Sequence, residues 1–280
     1  MNVENLLSID STNSEMKRRA QKAKLESEFV LTAEIQTKGR GRGERTWDCR
    51  PGESLAASYW IELNPQNGLS LEWFSALPLV VGLAAVRAAE IRLNNLGKGG
   101  ENTGALGLKW PNDVLINGRG KLAGILCELV HNSLNFGVIA GIGVNLKDSE
   151  GELSNLPRPA AVWSESFQDN WTAAEASVAI GNELFLLVKR LATEGFVALA
   201  EEWYAHCLHK GLDTAVRVGL APKDSDFMSG NLCFGSGVDC VSVSQGVKIG
   251  KTVGIGKHGE LLLCTGEGNI VSVTIGDVSF

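Results

Sequence analysis

The pattern of the chain changes near residue 211, and this change limits the possible folds more than any other feature of the sequence. Before it, apolar residues recur at helical spacing in stretches such as 75–93, 172–192 and 197–210, and short strand-like runs lie between them. Pro78 suits the first turn of the first stretch, and residues 94–105 and 156–171 are predicted loops. After it, short apolar segments are separated by glycine turns, and no helical spacing is left. The sequence therefore predicts an α+β domain over residues 1–210 and a small all-β domain, a barrel, over residues 211–280.

Composition and charge exclude several classes of protein. The 280 residues carry a formal net charge of −6 at pH 7, which disfavours general nucleic-acid binding, because such binding depends on many Lys and Arg contacts. We expect no secretion signal and no membrane span, since no apolar run reaches the roughly 18 to 20 residues that a bilayer requires. The six cysteines contain no Cys-x-x-Cys pair, so we expect reduced thiols in a cytoplasmic protein and no zinc site.

The segment TKGRGRGERTW, residues 37–47, joins two predicted strands. Its glycines let the backbone approach a ligand closely, and its arginines present planar forks that bind carboxylate or phosphate. Ordering about eight such residues costs on the order of 8–16 kcal/mol, whereas one charge-assisted hydrogen bond returns about 1.5–3 kcal/mol. We therefore expect a loop that is mobile when empty and closes over an anionic ligand. A solvated surface loop is the alternative, and an RNA-binding segment is disfavoured by the acidic pI.

A second set of polar residues lies in GLKWPNDVLINGRGKLAGILCEL, residues 107–129. The Pro-Asn-Asp sequence predicts a turn, and the Asn-Gly pair after it predicts the reversal of a hairpin. Lys109 and Lys121 flank this turn, while Asn112 and Asp113 carry groups that suit a purine edge or a metal-bound phosphate. An ordinary turn with a packed tryptophan, and a solvated lysine at a strand end, are the alternatives.

A third set lies where the first helix is predicted to begin. Ser11, Thr12 and Asn13 place short polar side chains beside the free N–H groups of a helix start. We expect Thr12 to cap the helix and Glu15 to complete a capping box, and capping alone is the alternative to a binding role. Gln36, on the polar face of the next strand, offers the donor and the acceptor that an amide or ureido ligand requires.

Taken together, these motifs resemble the biotin protein ligase family. The match runs from about residue 8 to the C-terminus and combines DSTNSE, EIQTKGRGRGERTW, LKWPNDVLINGRGKLAGILCE, VIAGIGVNL and a final GDVSF. The resemblance implies a catalytic domain like that of class II aminoacyl-tRNA synthetases, with a largely antiparallel mixed sheet flanked by helices, and a C-terminal barrel of the Src-homology-3 type. It also implies synthesis of biotinyl-5′-adenylate from biotin and MgATP, followed by transfer of biotin to one lysine of a biotin carboxyl carrier protein.

The resemblance implies a role for each matching position. The catalytic set is Lys121, Arg42 and Asp113. The biotin-binding set is Ser11, Thr12, Asn13, Gln36, Gly39, Arg40, Gly41, Arg42, Lys121 and Gly124. The ATP or adenylate set is Arg45, Trp47, Asn112, Lys121 and Asn145, with Mg²⁺ entering alongside ATP and no direct metal ligand assigned. Glu44 departs from the family pattern, and we expect it to point to water.

Two related activities are weaker alternatives. A lipoate or octanoate ligase or transferase is disfavoured by the GRGRG loop and by the KWPND and KLAG pair. A ligase that also acts as a repressor needs a DNA-binding module before the first motif, so we expect no sequence-specific DNA binding. The choice between a homodimer and a carrier protein at an exposed strand edge stays open, and residues 221–237 resemble an insertion without a chemical role.

Overall fold

The computed structural model describes residues 1–156, 159–218 and 246–280. The strands of its first sheet are β1 (Asn2–Ile9), β2 (Phe29–Gln36), β3 (Ser54–Glu62), β4 (Leu106–Lys109), β5 (Asp113–Ile116), β6 (Gly120–His131) and β7 (Phe136–Asn145). The helices are α1 (Thr12–Lys22), α2 (Leu77–Asn95), α3 (Glu101–Gly104), α4 (Trp163–Phe167), α5 (Ala173–Glu194) and α6 (Val197–Ala205). The second sheet contains β8 (Asp213–Arg217), β9 (Val247–Ile255), β10 (Leu261–Cys264), β11 (Ile270–Val273) and β12 (Asp277–Ser279).

The first sheet has seven strands in the order β1-β2-β3-β7-β6-β5-β4. Strands β1 and β2 are parallel and joined by α1, while the neighbouring pairs from β2 to β4 are antiparallel. This arrangement confirms the predicted α+β class with a largely antiparallel mixed sheet. Strand β1 was not predicted, because its sequence NVENLLSI has no clear alternation and the strand forms only through its parallel pairing with β2.

Helix α2 is buried on nearly every side between the sheet and α5. Pro78 lies in its first turn, as predicted, where the missing N–H leaves no hydrogen bond unmade. Leu83 and its apolar neighbours are almost fully buried in the main core. On the opposite face of the sheet, Met16 of α1 packs in a smaller core with Leu31 and Trp60. The sheet is therefore covered on both faces, and α1 begins beside the strand ends that form the pocket described below.

The second sheet has five antiparallel strands in the order β11-β10-β9-β8-β12. It confirms the prediction of a small C-terminal β domain among the described residues. Its first strand begins at Asp213, and the boundary at residues 210/211 stays a prediction. The predicted insertion at 221–237 lies outside the described residues. Within the described part of the chain, no helix is both long enough and apolar enough to cross a membrane.

The predicted capping box at the start of α1 is wrong. The N-cap is Ser11 rather than Thr12, and no side chain caps the helix. The Thr12 hydroxyl instead donates to the Gln36 side chain, and the Glu15 carboxylate pairs with Arg18. Tertiary hydrogen-bond partners replace the expected capping partners, since the start of the helix faces the pocket.

The last helix is shorter than the predicted range 197–210. It ends at Ala205, because the chain then turns to bond with β4. The Leu108 amide donates to the His206 carbonyl at 2.8 Å, and the Leu208 amide donates back to Leu108 at 3.0 Å. This bridge covers the free side of β4. Helices α3 and α4, each little more than one turn long, lie where the sequence predicted loops.

Candidate active site

A single pocket at the start of α1 brings together three separate sequence motifs. It encloses about 620 Å³ of empty volume, part of it open to solvent. The predicted residues that line it are Ser11, Thr12, Asn13, Gln36, Arg40, Gly41, Arg42, Arg45, Trp47, Asn112, Lys121 and Gly124. These residues come from α1, the ends of β2 and β6, the β4–β5 turn and the segment between β2 and β3. The fold therefore collects the predicted binding residues in one place.

The polar end of the pocket is organised around Gln36. Its side-chain oxygen accepts from the Thr12 backbone N–H at 2.8 Å and from the Thr12 hydroxyl at 3.1 Å. Both bonds use the oxygen, so the amide N–H groups of Gln36 are left to face the pocket as donors. Ser11 lies beside them with its backbone N–H bonded to Asp10. This end can bind a neutral polar ligand that carries both a carbonyl and an N–H.

Ser58 lies behind this end of the pocket and contacts the side chains that line it, although the sequence analysis did not select it. The residue is fully buried in β3, with its hydroxyl 2.8 Å from the Thr12 hydroxyl and 2.5 Å from the Asn13 side-chain oxygen. The Asn13 amide also donates to Glu128 at 2.9 Å. A serine within the apolar run LAASYW was the available signal, because a buried hydroxyl needs a partner.

The segment between β2 and β3 folds into a short hairpin over the pocket. The Gly41 amide donates to the Arg45 carbonyl at 2.8 Å, and the Trp47 amide donates to the Gly39 carbonyl at 3.0 Å. Glu44 is exposed at the tip, which confirms that it points to water. The expected exchange between open and closed forms of this hairpin stays a prediction.

Trp47 lies flat on the sheet and forms one wall of the pocket. A Cβ atom at Gly143 would lie 2.2 Å from the Trp47 ring, and one at Gly124 would lie 3.2 Å from it. Glycine is therefore required at position 143 for this packing, whereas a Cβ atom at position 124 would shift the ring only slightly. The Lys121 ammonium lies 5.7 Å from the ring centroid, and the buried Trp47 indole N–H has no hydrogen-bond partner among the described residues. An acceptor on a bound ligand would satisfy that donor.

The cations of the pocket lie against carboxylates of the protein. Lys121 Nζ is 2.7 Å from Asp113 Oδ1, an ion pair without the angles of a hydrogen bond. Arg42 Nη1 is 3.2 Å from Asp277 Oδ1 and donates to Asn112 Oδ1 at 3.1 Å. Asp277 belongs to β12, so the second sheet supplies a carboxylate to the pocket of the first.

The other two arginines of the hairpin are paired in the same way. Arg45 also binds Asp277, and Arg40 donates to Glu128 at 2.6 Å. Burial lowers the pKa of the Arg42 guanidinium, and the Asp277 charge opposes this effect. Arginine nevertheless stays charged at neutral pH. The pocket therefore holds a partly desolvated cation that can bind phosphate or carboxylate strongly.

Three predicted residues do not line the pocket. Gly39 packs beneath the hairpin, where a Cβ atom would lie 2.1 Å from the Trp47 carbonyl oxygen. Asp113 stands behind Lys121 as its ion-pair partner. Asn145 is buried, and its amide donates at 3.2 Å to the carbonyls of Lys121 and Ala161. These positions support the pocket residues rather than facing its interior.

Sequence reasoning also gave no role to Glu128 and Asp277. Both lie within segments that carried the resemblance, GILCE and GDVSF, yet the position of neither residue in the sequence shows that its carboxylate reaches an arginine far along the chain.

Thiol chemistry is disfavoured, since burial raises the pKa of Cys127 to about 12 and of Cys49 to about 11. Within the described ranges, no three His, Cys, Asp or Glu side chains cluster to hold a metal ion.

Comparison with known proteins agrees with this chemistry. The pattern of the "Biotin/lipoate A/B protein ligase family" matches residues 6–145. The chain is 32% identical to a biotin–[acetyl-CoA-carboxylase] ligase of Paracoccus denitrificans, over 78% of this chain and 86% of that protein. It is 27% identical to the bifunctional ligase/repressor BirA of Bacillus subtilis, over 85% of this chain and 62% of that protein.

A solved structure shows the same fold. The biotin protein ligase of Aquifex aeolicus, in complex with biotin and ATP, superposes with a TM-score of 0.72 at 26% identity. The superposition covers 99% of this chain and 97% of that one, so both sheets have counterparts. The chain therefore belongs to the biotin/lipoate A/B protein ligase family, and within it to the biotin protein ligases.

Proposed function

We propose that this protein joins biotin to ATP, forming biotinyl-5′-adenylate and pyrophosphate, and then transfers biotin to a lysine of a biotin carboxyl carrier protein. One observation supports this proposal above the others. The pocket joins a neutral polar end, at Gln36 and Asn13, to a cationic end, at Arg42 and Lys121. Biotin has a ureido ring at one end and a carboxylate at the other, so it matches this polarity.

The polar end suits the ureido ring. The Gln36 amide, Ser11 and Asn13 offer donors and acceptors at the start of α1, and the apolar Ala56 and Ile142 line the wall beyond them. The alkyl chain of biotin then extends toward Lys121 along the Trp47 ring. A lipoyl chain has a carboxylate but no ureido group, so it would leave these buried polar groups without partners, which costs binding free energy.

Adenylation requires the enzyme to bring two anions together. A carboxylate oxygen of biotin attacks the α-phosphorus of ATP, the new P–O bond forms, and pyrophosphate leaves. Lys121 and Arg42 offset the repulsion and stabilise the charge that develops on the phosphoryl oxygens. In the empty pocket these cations are bound to Asp113 and Asp277, so the substrates take the places of two protein carboxylates. Magnesium enters as part of the substrate MgATP.

Transfer requires an uncharged amine. The acceptor lysine has an ordinary pKa near 10.4, so it must lose a proton before it attacks the carbonyl carbon of the adenylate and expels AMP. Asp113 becomes available once Lys121 turns toward the phosphate, because that movement breaks the ion pair between the two groups. We assign Asp113 the role of orienting the acceptor amine.

The carrier has a suitable docking edge on β6. Strand β5 pairs with β6 only from Gly120 to Gly124, whereas β7 pairs with it as far as His131. Among the described residues, the far half of β6 therefore has one edge without a neighbouring strand, and it begins next to the pocket. An extended segment of the carrier can add to such an edge. A second copy of this chain is the competing occupant, and sedimentation of the purified protein distinguishes the two.

The decisive experiment is incubation with MgATP, a carboxyl carrier domain and either biotin or lipoate, followed by mass measurement of the carrier. We expect one biotin per carrier and no lipoyl addition. Modification by lipoate but not biotin would overturn the proposal. As a control for docking, Leu129→Lys places a charge on the open edge of β6, where Leu129 is exposed. It is expected to slow carrier modification while biotin-dependent pyrophosphate exchange continues.

We further propose that the protein works in the cytoplasm. The described cysteines Cys49, Cys127, Cys207 and Cys264 are free thiols, as the reducing cytoplasm favours. The expectation of no sequence-specific DNA binding stays a prediction. A gel-shift assay with promoter DNA of biotin genes at physiological salt measures it directly.

A further inference from the structure

His209 is a buried polar group that no part of the proposed chemistry uses. It lies between α6 and β8 and is fully buried. Its Nε2 atom accepts the backbone N–H of Trp110 at 3.2 Å, and its Nδ1 atom lies 3.0 Å from the Thr252 hydroxyl. The ring stacks beside Phe280 with centroids 5.4 Å apart. The side chain thus bridges the second sheet, through β9, and the turn that follows β4.

The hydrogen bonds around His209 permit only one arrangement of protons. A backbone N–H can only donate, so Nε2 carries no proton and a neutral ring must carry its proton on Nδ1. Nδ1–H therefore donates to the Thr252 hydroxyl, which lies 2.9 Å from the Thr214 hydroxyl. Thr214 in turn donates to the Leu212 carbonyl at 3.1 Å. Each donor in this series of hydrogen bonds has one acceptor. The Trp110 amide fixes the proton of His209, and the Leu212 carbonyl fixes the proton of Thr214.

The turn held by His209 carries Asn112, which lies at the proposed nucleotide side of the pocket. Both N–H groups of Trp110 are bound outside the first sheet, the backbone amide to His209 and the indole N–H to the Gly259 carbonyl at 2.9 Å. Two residues later, the Asn112 side chain accepts from Arg42 and its backbone carbonyl accepts from Ile125 at 2.9 Å. A shift of the Trp110 amide would therefore move Asn112 relative to the arginines.

We propose that His209, as its neutral Nδ1–H tautomer, is a positioning residue for the ATP half of the active site. It fixes the Trp110 amide, and through it the turn that carries Asn112 and Asp113. A proton on Nε2 would instead set two N–H groups against each other. Lys109, at the end of β4, is the charged group that acts on the ring. The contacts from β8, β9 and the C-terminal residue are the neutral side chains Thr214, Thr252 and Phe280.

Two isosteric variants separate positioning from simple packing. His209→Asn retains a donor near the position of Nδ1 but has no atom that reaches the Trp110 amide. His209→Gln retains an acceptor for that amide. We expect His209→Asn to raise the KM for ATP about three- to tenfold, the loss that one hydrogen bond predicts, with the KM for biotin changed less than about twofold. His209→Gln should restore most of the ATP affinity. Biotin-dependent exchange of pyrophosphate into ATP measures both constants.

The tautomer is measured without any substrate. Nitrogen-15 NMR of the labelled imidazoles should place the His209 proton on Nδ1, with the signal assigned by its loss in His209→Gln. Thr252→Val removes the acceptor of Nδ1–H but keeps the contact between His209 and the Trp110 amide. If His209→Asn does not fold, Thr252→Val is measured in its place. It should raise the KM for ATP less than His209→Asn does. The matched control is His206→Asn. In the wild type, the His206 ring lies 3.9 Å from the Glu90 carboxylate.

The outcomes also separate this inference from the proposed function on which it rests. Wild-type protein without biotin-dependent exchange would reject the function, while the NMR result would still decide the tautomer. With exchange intact, a proton on Nε2 would overturn the inference. An equal rise in both KM values, or no rise in the KM for ATP in His209→Asn, would do the same.

Discussion

At the residue level, the empty pocket holds its cations with carboxylates of the protein. Lys121 pairs with Asp113, and the hairpin arginines pair with Asp277 and Glu128. Such pairs keep the cations oriented and partly desolvated before the substrates arrive, so less reorganisation is needed during reaction. The cost is competition, because biotin carboxylate and ATP phosphates must displace groups that already satisfy these cations.

Removal of the Lys121 charge tests this arrangement. Lys121→Ala should lower biotin-dependent pyrophosphate exchange by about 10²–10³-fold, since one preorganised donor to a developing charge contributes roughly that factor. The fold should persist, because the side chain is about one-third exposed at 36%. Circular dichroism checks the fold, and Lys22→Ala at the end of α1 is the matched control. Exchange at the wild-type rate in Lys121→Ala would reject its assigned role.

His209 makes stability depend on pH. Burial, reinforced by the Lys109 charge, lowers the pKa of His209 from 6.5 to about 4. In this pH range His209 binds a proton in the unfolded chain but not in the folded protein. The free energy of unfolding therefore falls as the pH drops from about 6.5 toward 4. Integrated over this window, the loss is about 3 kcal/mol.

Urea unfolding at pH 4.5 and pH 7 measures this effect. The difference in unfolding free energy between the two pH values should be smaller for His209→Gln than for the wild type, because glutamine does not titrate. An identical pH dependence in both proteins would contradict the assignment. His206→Asn controls for the loss of an imidazole in general.

At the level of elements, β6 and β7 form the floor on which the hairpin tryptophan rests. Their glycines Gly124 and Gly143 pair with each other across the sheet, so a flat patch without side chains lies directly under Trp47. The sheet supplies a rigid surface, and the hairpin above it supplies the arginines. The geometry of the pocket therefore depends on small residues in two strands as much as on the charged residues.

Gly143→Ala tests this floor. The added Cβ atom would lie 2.2 Å from the Trp47 ring, so the ring and the hairpin must shift. We expect the KM for ATP to rise by about tenfold or more, since a displacement of this size misplaces the binding groups. Gly104→Ala, where a Cβ atom would meet nothing within 4 Å, is the control and should bind normally. A normal KM in Gly143→Ala would show that Trp47 is not part of the site.

Elements with strong local signals were predicted from the sequence, and those formed by distant partners were not. The apolar run with Pro78 at its start predicted α2, and Asn117-Gly118 predicted the turn between β5 and β6. Strand β1 escaped prediction because parallel pairing with β2 leaves no local mark. The capping box failed for a related reason, since the polar groups at the start of α1 bind Gln36 rather than each other.

At the level of the whole molecule, the second sheet is attached to the first at the end of the pocket that holds Arg42 and Arg45. Asp277 reaches Arg42 and Arg45, and the Gly259 carbonyl and His209 hold Trp110. The small β domain is therefore part of the active site rather than a separate appendage. Movement of one sheet against the other would first displace the hairpin.

Asp277→Asn tests this coupling. The substitution retains the shape of the side chain but removes the charge that holds Arg42 and Arg45. Backbone amides of residues 39–47 should exchange with deuterium faster in the empty variant than in the empty wild type, because the hairpin has lost its anchor. Mass spectrometry of peptic fragments measures this rate. Asp213→Asn, an exposed residue of β8, is the control, and equal exchange in all three proteins would contradict the coupling.

The sequence by itself determined the fold class and the helix and hairpin positions with strong local signals, and it predicted which polar residues carry the chemistry. Those properties follow from hydrophobic spacing, turn residues and the functional groups themselves. Only the tertiary structure decided which carboxylate holds which cation, why Ser58 is needed, and how His209 reaches Trp110. These contacts join residues far apart along the chain, and their distances depend on how the two sheets and the hairpin pack.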